Sequence, residues 1–188
     1  MMKTMPESSA FHIRPATYAD IPALLTLVEQ SVRQLQVNDY SPTQIDASIG
    51  SAFGVDRQLI DDQTYFVAVP LDEPTLIVAC GGWSFRKTLC GSDNLVNRDN
   101  TILNPVCDFA KIRAIFVHPG WARQGLGSLI LSYCETAAQD AGFTRFEMGS
   151  TLTGVPLYTL RGYVAQGRAD LRLPNGEDLP IVMMSKSL

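Results

Sequence analysis

The sequence predicts a single mixed α/β domain, and three features carry that prediction. A helical apolar period near the amino end (Ile21, Leu24, Leu25, Val28, Val32, Leu35) gives way to β-branched and aromatic runs at Thr64–Val69 and Thr75–Ser84. From Lys111 onward, strand, helix, strand, short helix and two strands follow one another. The chain has 188 residues, 46% of them hydrophobic, which suits one core better than two.

Phe11–Arg14 alternates apolar and polar residues as a half-buried strand does. Asp20 offers an N-cap to the first helix, and Ser41-Pro42 opens a second with a cap residue and a proline at its first position. Gly50 and Gly54 end that helix, and Val55–Ile60 adds another short turn. The two β-rich runs flank Leu71-Asp-Glu-Pro74 and read as a hairpin. Phe85–Ala110 is polar and without period, a long loop of the kind used as a functional lid or left disordered. Lys111–Val117 is a strand ended by His118-Pro119-Gly120. After it Leu126, Leu129, Ile130, Tyr133, Ala137 and Ala141 share one helical face up to Gly142. Arg145–Gly149 is a strand and Val155–Leu160 a short helix; Tyr163–Leu173 and Leu179–Lys186 are strands joined through Pro174-Asn175-Gly176. Residues 1–10 are expected to be a flexible lead-in to a domain over 11–188.

The net charge is −4 with no Lys/Arg run, which argues against direct nucleic-acid binding. Cys80, Cys90, Cys107 and Cys134 form no C-x-x-C pair, and with only two histidines no metal site is expected. Cys80 and Cys134 read as small buried hydrophobes, whereas a Cys90–Cys107 disulfide across the long loop is open but not favoured. Met1–Ala10 lacks the apolar core of a secretory signal, and no apolar run reaches the roughly 20 residues of a membrane span. A soluble, cytoplasmic protein without a membrane partner is expected.

The strongest local signal is Ile115-Phe-Val-His-Pro-Gly-Trp-Ala-Arg-Gln-Gly-Leu-Gly127: a strand, a proline turn, then glycines opening a helix. The first amides of a helix lack intrahelical acceptors and sit at the positive end of its dipole. Gly125 and Gly127 remove side-chain bulk, and Arg123 adds a full charge, so the segment reads as an anion cradle. A turn that merely packs helix on sheet is the alternative. Gly120 and Gly125 have the spacing of a nucleotide-triphosphate loop, but Leu126 and Gly127 stand where its lysine and hydroxyl belong. A dinucleotide fingerprint fails because Ile130 replaces its last glycine and the loop is too long.

The segment instead resembles the acetyl-CoA signature of the GNAT N-acetyltransferases, Gln/Arg-x-x-Gly-x-Gly/Ala after a strand ending in Val-x-Pro. Val117-His-Pro119 and Gly125-Leu-Gly127 match it, with Ala122 at the first motif position. Thr151-Leu-Thr-Gly-Val-Pro-Leu-Tyr-Thr-Leu-Arg-Gly-Tyr163 resembles a second family segment, Asn-x-x-Ala-x-x-Phe-Tyr-x-x-x-Gly-Phe. Tyr158 falls on its tyrosine and Gly162-Tyr163 on its Gly-Phe; Thr151, Gly154 and Leu157 depart from it. Ile13-Arg-Pro-Ala-Thr17 with Asp20-Ile21 extends the likeness to the amino end.

The resemblance implies a GNAT-like, mostly antiparallel mixed sheet of about six to seven strands with helices on both faces. Its strands would part at the acetyl-CoA site. It implies a transferase moving an acetyl group from acetyl-CoA, its cosubstrate, to a primary amine by direct attack in a ternary complex. The pyrophosphate would be bound largely by the main chain of Arg123, Gln124, Gly125, Leu126, Gly127 and Ser128. Ile115, Phe116 and Val117 would bond the pantetheine arm, aided by the Thr151 hydroxyl, with an amide near Phe116 facing the thioester oxygen. Tyr158 would donate a proton or hydrogen bond to the departing thiolate; simple packing on the helix is its alternative. Asp108 and Glu147 are the carboxylates near the expected site, and each reads as structural before catalytic. His118 and Trp121 read as turn residues. Trp83 reads as core before acceptor wall, and Arg113 faces either solvent or the acceptor.

The acceptor is unspecified and would be shaped by Val37–Ile60 and Phe85–Ala110; a homodimer is left open. A catalytically silent acyl-CoA-binding regulatory domain is the second reading. A nucleotide-binding module is the third.

Overall fold

The computed structural model describes residues 10–89, 91–93 and 98–188. The first half runs β1 (Phe11–Pro15), a 3-10 turn (Tyr18–Asp20), α1 (Ile21–Leu35), α2 (Pro42–Ser48), α3 (Arg57–Asp61), β2 (Tyr65–Pro70) and β3 (Ala79–Ser84). The second half runs β4 (Ala110–Val117), α4 (Leu126–Asp140), β5 (Arg145–Thr151), α5 (Val155–Leu160), β6 (Val164–Arg172) and β7 (Asp178–Ser187). Residues 1–9, the expected flexible lead-in, lie outside the described residues, as does Cys90.

The seven strands form one sheet in the order β1-β2-β3-β4-β5-β7-β6. All neighbours are antiparallel except β4 and β5, which are joined through the α4 crossover that a parallel pair requires. Strand alternation in β2 explains why every residue of it is buried. Tyr65, Val67 and Val69 pack under α1 with Leu24, Leu27, Val28 and Val32, whereas Phe66 and Ala68 face the cluster that holds α4. Helices thus cover both faces, as the fold-class prediction required.

Local chemistry sets most boundaries. At α2, Gln44 N–H donates to Ser41 Oγ (3.2 Å) and Ser41 N–H to Gln44 Oε1 (2.9 Å), a reciprocal cap. Asp20 does not cap α1 as expected. Its carboxylate turns back to accept from Thr17 N–H (2.8 Å) and from both terminal nitrogens of Arg14 (2.8 Å each), closing the β1–α1 corner. The Arg14 hydrogen bonds hold that carboxyl down at about 2. The β3 strand is also shorter than expected, beginning at Ala79 and not Thr75.

The face of α4 is broader than the line of residues read from its sequence. Leu131, Cys134 and Ala138 are buried beside Leu126 and Ile130, whereas Ala141 is exposed and Tyr133 keeps 41% of its surface. One helical line captures only half of an apolar stripe that is two residues wide. Tyr133 retains an edge contact with Phe66, ring centres 4.9 Å apart.

The described residues of the long 85–110 segment form no helix or extended strand before Ala110, yet they are anchored. It doubles back through Lys87 N–H to Thr101 O (3.0 Å), Thr88 N–H to Asp99 O (2.9 Å) and Leu103 N–H to Phe85 O (2.8 Å). Arg86 pairs with Asp62 at 2.7 Å, and Asp93 accepts from Arg57 N–H at 2.7 Å, which ties the arm to α3. Cys80 and Cys134 are buried free thiols and Cys107 an exposed one. No described helix is long and apolar enough to cross a membrane.

Candidate active site

The parallel pair is the weak seam of the sheet. β4 and β5 are in register only at Ala110–Phe146 and Lys111–Glu147, and the Lys111–Glu147 ion pair sits at that fork. Beyond it the strands part. A β-bulge accompanies the parting: the β3–β4 register shifts between Cys80 and Gly82, and opposite it Ala114 adopts φ 55. The Cys80 thiol donates to the Ala114 carbonyl at 3.6 Å and accepts from Tyr65 OH at 3.4 Å. An alanine gives no sequence signal for such a turn, so the bulge was not foreseen.

The bulge decides which amides face the gap. His118 N–H donates to Val78 O (2.8 Å), toward β3. Alternation turns the Phe116 amide the same way, beside the Cys80 sulfur, and turns the amides of Ile115 and Val117 toward the gap. The donors expected near Phe116 are therefore its neighbours. The Phe116 side chain packs edge-on against Phe53, centres 6.0 Å apart.

At the end of β4, His118 Nδ1 accepts Gly120 N–H (3.1 Å), which makes it the turn residue it was read as. Arg123 (φ 63) and Gly125 (φ 88) then swing the chain into α4 through left-handed conformations. Gly125 is the N-cap and supplies no side-chain cap. Among the described residues no acceptor meets the amides of Leu126, Gly127 or Ser128. A Cβ on Gly127 would lie 3.0 Å from Leu157 Cδ2, so glycine keeps this mouth open.

A cavity of about 460 Å³ runs from this helix start into the gap. It brings together Ile115, Phe116, Val117, Arg123, Gly125, Gly127, Ser128, Thr151 and Tyr158. Gln124 and Leu126 do not line it. The Gln124 side chain is exposed and donates to Gly120 O at 3.4 Å, while that of Leu126 is 1% exposed in the core. Any part they take falls to their main chain.

Tyr158 is buried, sets its ring edge-on to Tyr163 (6.0 Å) and has no hydrogen-bond partner among the described residues. Burial pushes its phenol well above the ordinary value, so it stays protonated. It also lines a smaller cavity of about 90 Å³ between the parted strands. The walls of that cavity include Phe53, Gly54, Leu89 and Gly91, drawn from the two segments expected to shape an acceptor site. Thr151 lines both cavities, but its hydroxyl accepts Gly154 N–H (3.1 Å) and so caps the turn before α5.

Gly154 stands where the resembled pattern has alanine, and the structure gives the reason. A Cβ there would lie 2.8 Å from Tyr158 Cε2 and 2.9 Å from Ser150 Oγ. Gly154→Ala is expected to displace the Tyr158 ring and lower turnover about tenfold. Coenzyme A affinity, measured by calorimetry, should stay within about twofold. Unchanged turnover would mean that the ring position is immaterial.

The remaining candidates sort plainly. Arg113 is buried on the acceptor side, where Nη1 meets Asp56 Oδ2 (2.8 Å) and Nη2 donates to Gly91 O (2.8 Å). Arg98 reaches the same carboxylate at 2.9 Å, so two guanidinium groups share one buried aspartate. Glu147 is committed to Lys111, and Asp108 accepts Asn104 N–H (2.7 Å); neither lines a cavity. Trp83 is core, packed on Phe85 and Phe143, and Trp121 sets its edge on Phe11. The described residues contain no group of three or more His, Cys, Asp or Glu able to hold a metal ion. One residue was missed altogether: Gln36, at the end of α1, lines both cavities.

A mostly antiparallel sheet covered on both faces, with one parallel pair parted beside a glycine helix start, defines a class of mixed α+β proteins, here with a cavity that opens into the sheet. The comparisons narrow the class. The family model described as "Acetyltransferase (GNAT) domain" matches residues 97–187. No curated protein matches the sequence. Among solved structures, the GCN5-related N-acetyltransferase (aminotransferase, class-II) of Rhodopseudomonas palustris aligns with TM-score 0.69 and 21% identity over 100% of this chain and 99% of that one. The PaiA N-acetyltransferase of Thermoplasma acidophilum, in complex with coenzyme A, gives TM-score 0.63 and 12% identity over 95% and 99%. The N-acetylglutamate synthase of Neisseria gonorrhoeae, complexed with coenzyme A and N-acetyl-glutamate, gives 0.59 and 17% over 97% of this chain and 36% of that one. The chain has the GNAT N-acetyltransferase fold.

Proposed function

We propose that this protein transfers an acetyl group from acetyl-CoA to a primary amine by direct attack within a ternary complex. The observation that carries this reading is that two cavities, one opening at the helix-start cradle and one between the parted strands, meet at Tyr158. The residues present suit acetyl-CoA. Three unpaired amides and Arg123 face the place for a diphosphate, and the gap-facing amides of Ile115 and Val117 suit a pantetheine arm. The coenzyme A bound in two of the structural neighbours supports the same ligand here. When bound, it supplies an activated acyl thioester.

The chain's own groups define the rest. The Val117 amide is a donor for the thioester oxygen as charge gathers there. Tyr158 holds its proton toward the sulfur. A phenol near 10 is a weaker acid than a thiol near 8.5, and burial weakens it further. It therefore serves as a hydrogen-bond donor to the departing thiolate and not as a full proton source.

The amine must be neutral to attack. For a lysine-like amine near 10.4 this costs about 4.6 kcal/mol at pH 7. Among the described residues no carboxylate or imidazole lines either cavity. The expected pH profile follows directly. kcat/KM should rise with pH along the acceptor's own ionisation, because no protein base takes the proton. It should not fall again before about pH 10, because the raised Tyr158 phenol keeps its proton there. A rising limb well below the amine's own ionisation, independent of which amine is used, would reveal a base and contradict this.

The direct test is release of free thiol from acetyl-CoA over a panel of primary amines, with calorimetric titration of coenzyme A alongside. Amine-dependent release is expected. Tight coenzyme A binding without release for any amine would favour a silent acyl-CoA-binding domain. ATP or NAD binding stronger than coenzyme A would point to a nucleotide module.

A further inference from the structure

We infer that Gln36 binds the acceptor, its Oε1 receiving an N–H of the amine that attacks. The inference rests on the acetyl-transfer reading above and adds the group that holds the nucleophile.

The main chain of Gln36 is held in place. Gln36 ends α1: its N–H donates to Val32 O (3.3 Å), and its carbonyl accepts Asp39 N–H (3.0 Å) and Tyr40 N–H (3.1 Å). The turn that follows is clamped to the far side of the cleft. Tyr40 OH donates to Pro180 O (2.8 Å) and accepts Leu152 N–H (2.9 Å), and Thr153 Oγ1 bonds Asp39. Gln36 is therefore held over the gap from both ends of its turn.

It is 6% exposed, and its Oε1 is buried with no hydrogen-bond partner among the described residues. Native proteins seldom leave a side-chain amide oxygen in that state, and each such atom calls for a reason, such as an ordered water, an ion or a ligand. The position fits one. Among the described residues only Gln36, Ile115, Phe116, Thr151 and Tyr158 line both cavities. Of these, Thr151 uses its hydroxyl on Gly154, so the polar side chains left at the crossing are Gln36 and Tyr158. They are complementary: the phenol donates, which suits sulfur, and the amide oxygen only accepts, which suits an amine N–H.

The choice of an amide has a chemical consequence. A carboxylate in this place would stabilise the ammonium form, which has no lone pair with which to attack. A neutral oxygen accepts one N–H and leaves the lone pair of a neutral amine free. Among the described residues the charged side chains that line either cavity are Arg123 and the Asp56-paired Arg113, and no anionic side chain lines either one. The acceptor class that fits is a small primary monoamine whose remainder is neutral or anionic; a polyamine would bring a second cation into a site with no anion to receive it.

The test uses an amine that the wild-type protein turns over. Gln36→Leu keeps the bulk and removes the polar atoms. It should lower kcat/KM for the amine about tenfold or more, mainly through the amine's KM, with coenzyme A affinity within about twofold and an unchanged or higher Tm. Gln36→Glu should move the rising limb of the kcat profile, which reports the bound amine, to higher pH while the kcat/KM limb stays on the free amine's ionisation, a shift that a purely structural glutamine would not produce. Wild-type amine kinetics in Gln36→Leu, or a lowered Tm with unchanged amine KM, would overturn the inference while leaving the transferase reading intact. Coenzyme A binding without amine-dependent thiol release in the wild-type protein would sink both.

Discussion

Gly127→Glu is expected to abolish coenzyme A binding without harming the fold. The new carboxylate would stand at the first turn of α4, where unpaired amides face the place for a diphosphate. Two like charges about 5 Å apart at an effective dielectric near 20 repel by about 3 kcal/mol, which is over a hundredfold in Kd. The bulk of the side chain adds to that. Stability should move the other way, since a carboxylate near a helix N-terminus is favourable and glutamate is a better helix former than glycine. The ligand-free Tm should therefore hold or rise while calorimetry detects no complex. Gly127→Ala is the control: its Cβ meets the flexible end of Leu157 at 3.0 Å and Val117 Cγ2 at an ordinary 3.8 Å, so binding should weaken only a few-fold. A glutamate variant that still bound coenzyme A with wild-type affinity would move the ligand away from this helix start.

The second large effect is on chemistry alone. Tyr158→Phe removes one hydroxyl, which has no partner among the described residues, from the point where the two cavities meet. Turnover with a competent amine should fall about tenfold or more. Coenzyme A affinity should stay within about twofold, because on the proposed function the phenol serves the reacting end and not the diphosphate. Tm should not fall, since no hydrogen bond in the protein is lost. Single-turnover measurements would separate this from slower product release. If turnover is unchanged with a good acceptor, the tyrosine is packing only.

Much of this arrangement was legible in the sequence where local physics decides the outcome. Ser41-Pro42 marks the start of α2, the glycines at 125 and 127 mark the opening of α4, and the β-branched and aromatic run at 64–69 marks β2. Tyr158 was legible because its spacing from Gly162-Tyr163 is carried within one short stretch of chain. What escaped is non-local. Nothing about Ala114 announces a positive φ; its turn is stabilised from behind by Cys80 and Tyr65, 34 and 49 residues earlier. Asp20 looks like a cap until Arg14 claims its carboxylate. Gln36 at a helix end has the composition of a solvated position, and only the fold shows that the cleft closes over it. The Arg98–Asp56–Arg113 cluster likewise joins three distant segments that share no pattern.

The short β4–β5 register has a mechanical consequence. With two residue pairs at the fork and none described beyond it, β1 to β4 and β5 to β6 are joined in the sheet by a narrow seam and otherwise by the core packed under α4. A guest carrying amide groups of its own and lying along the gap would supply the rungs that the protein leaves out. On the proposed function, acetyl-CoA lying in the gap would complete the ladder between the two halves, so binding is expected to slow amide hydrogen exchange in β4 and β5 on either side of it.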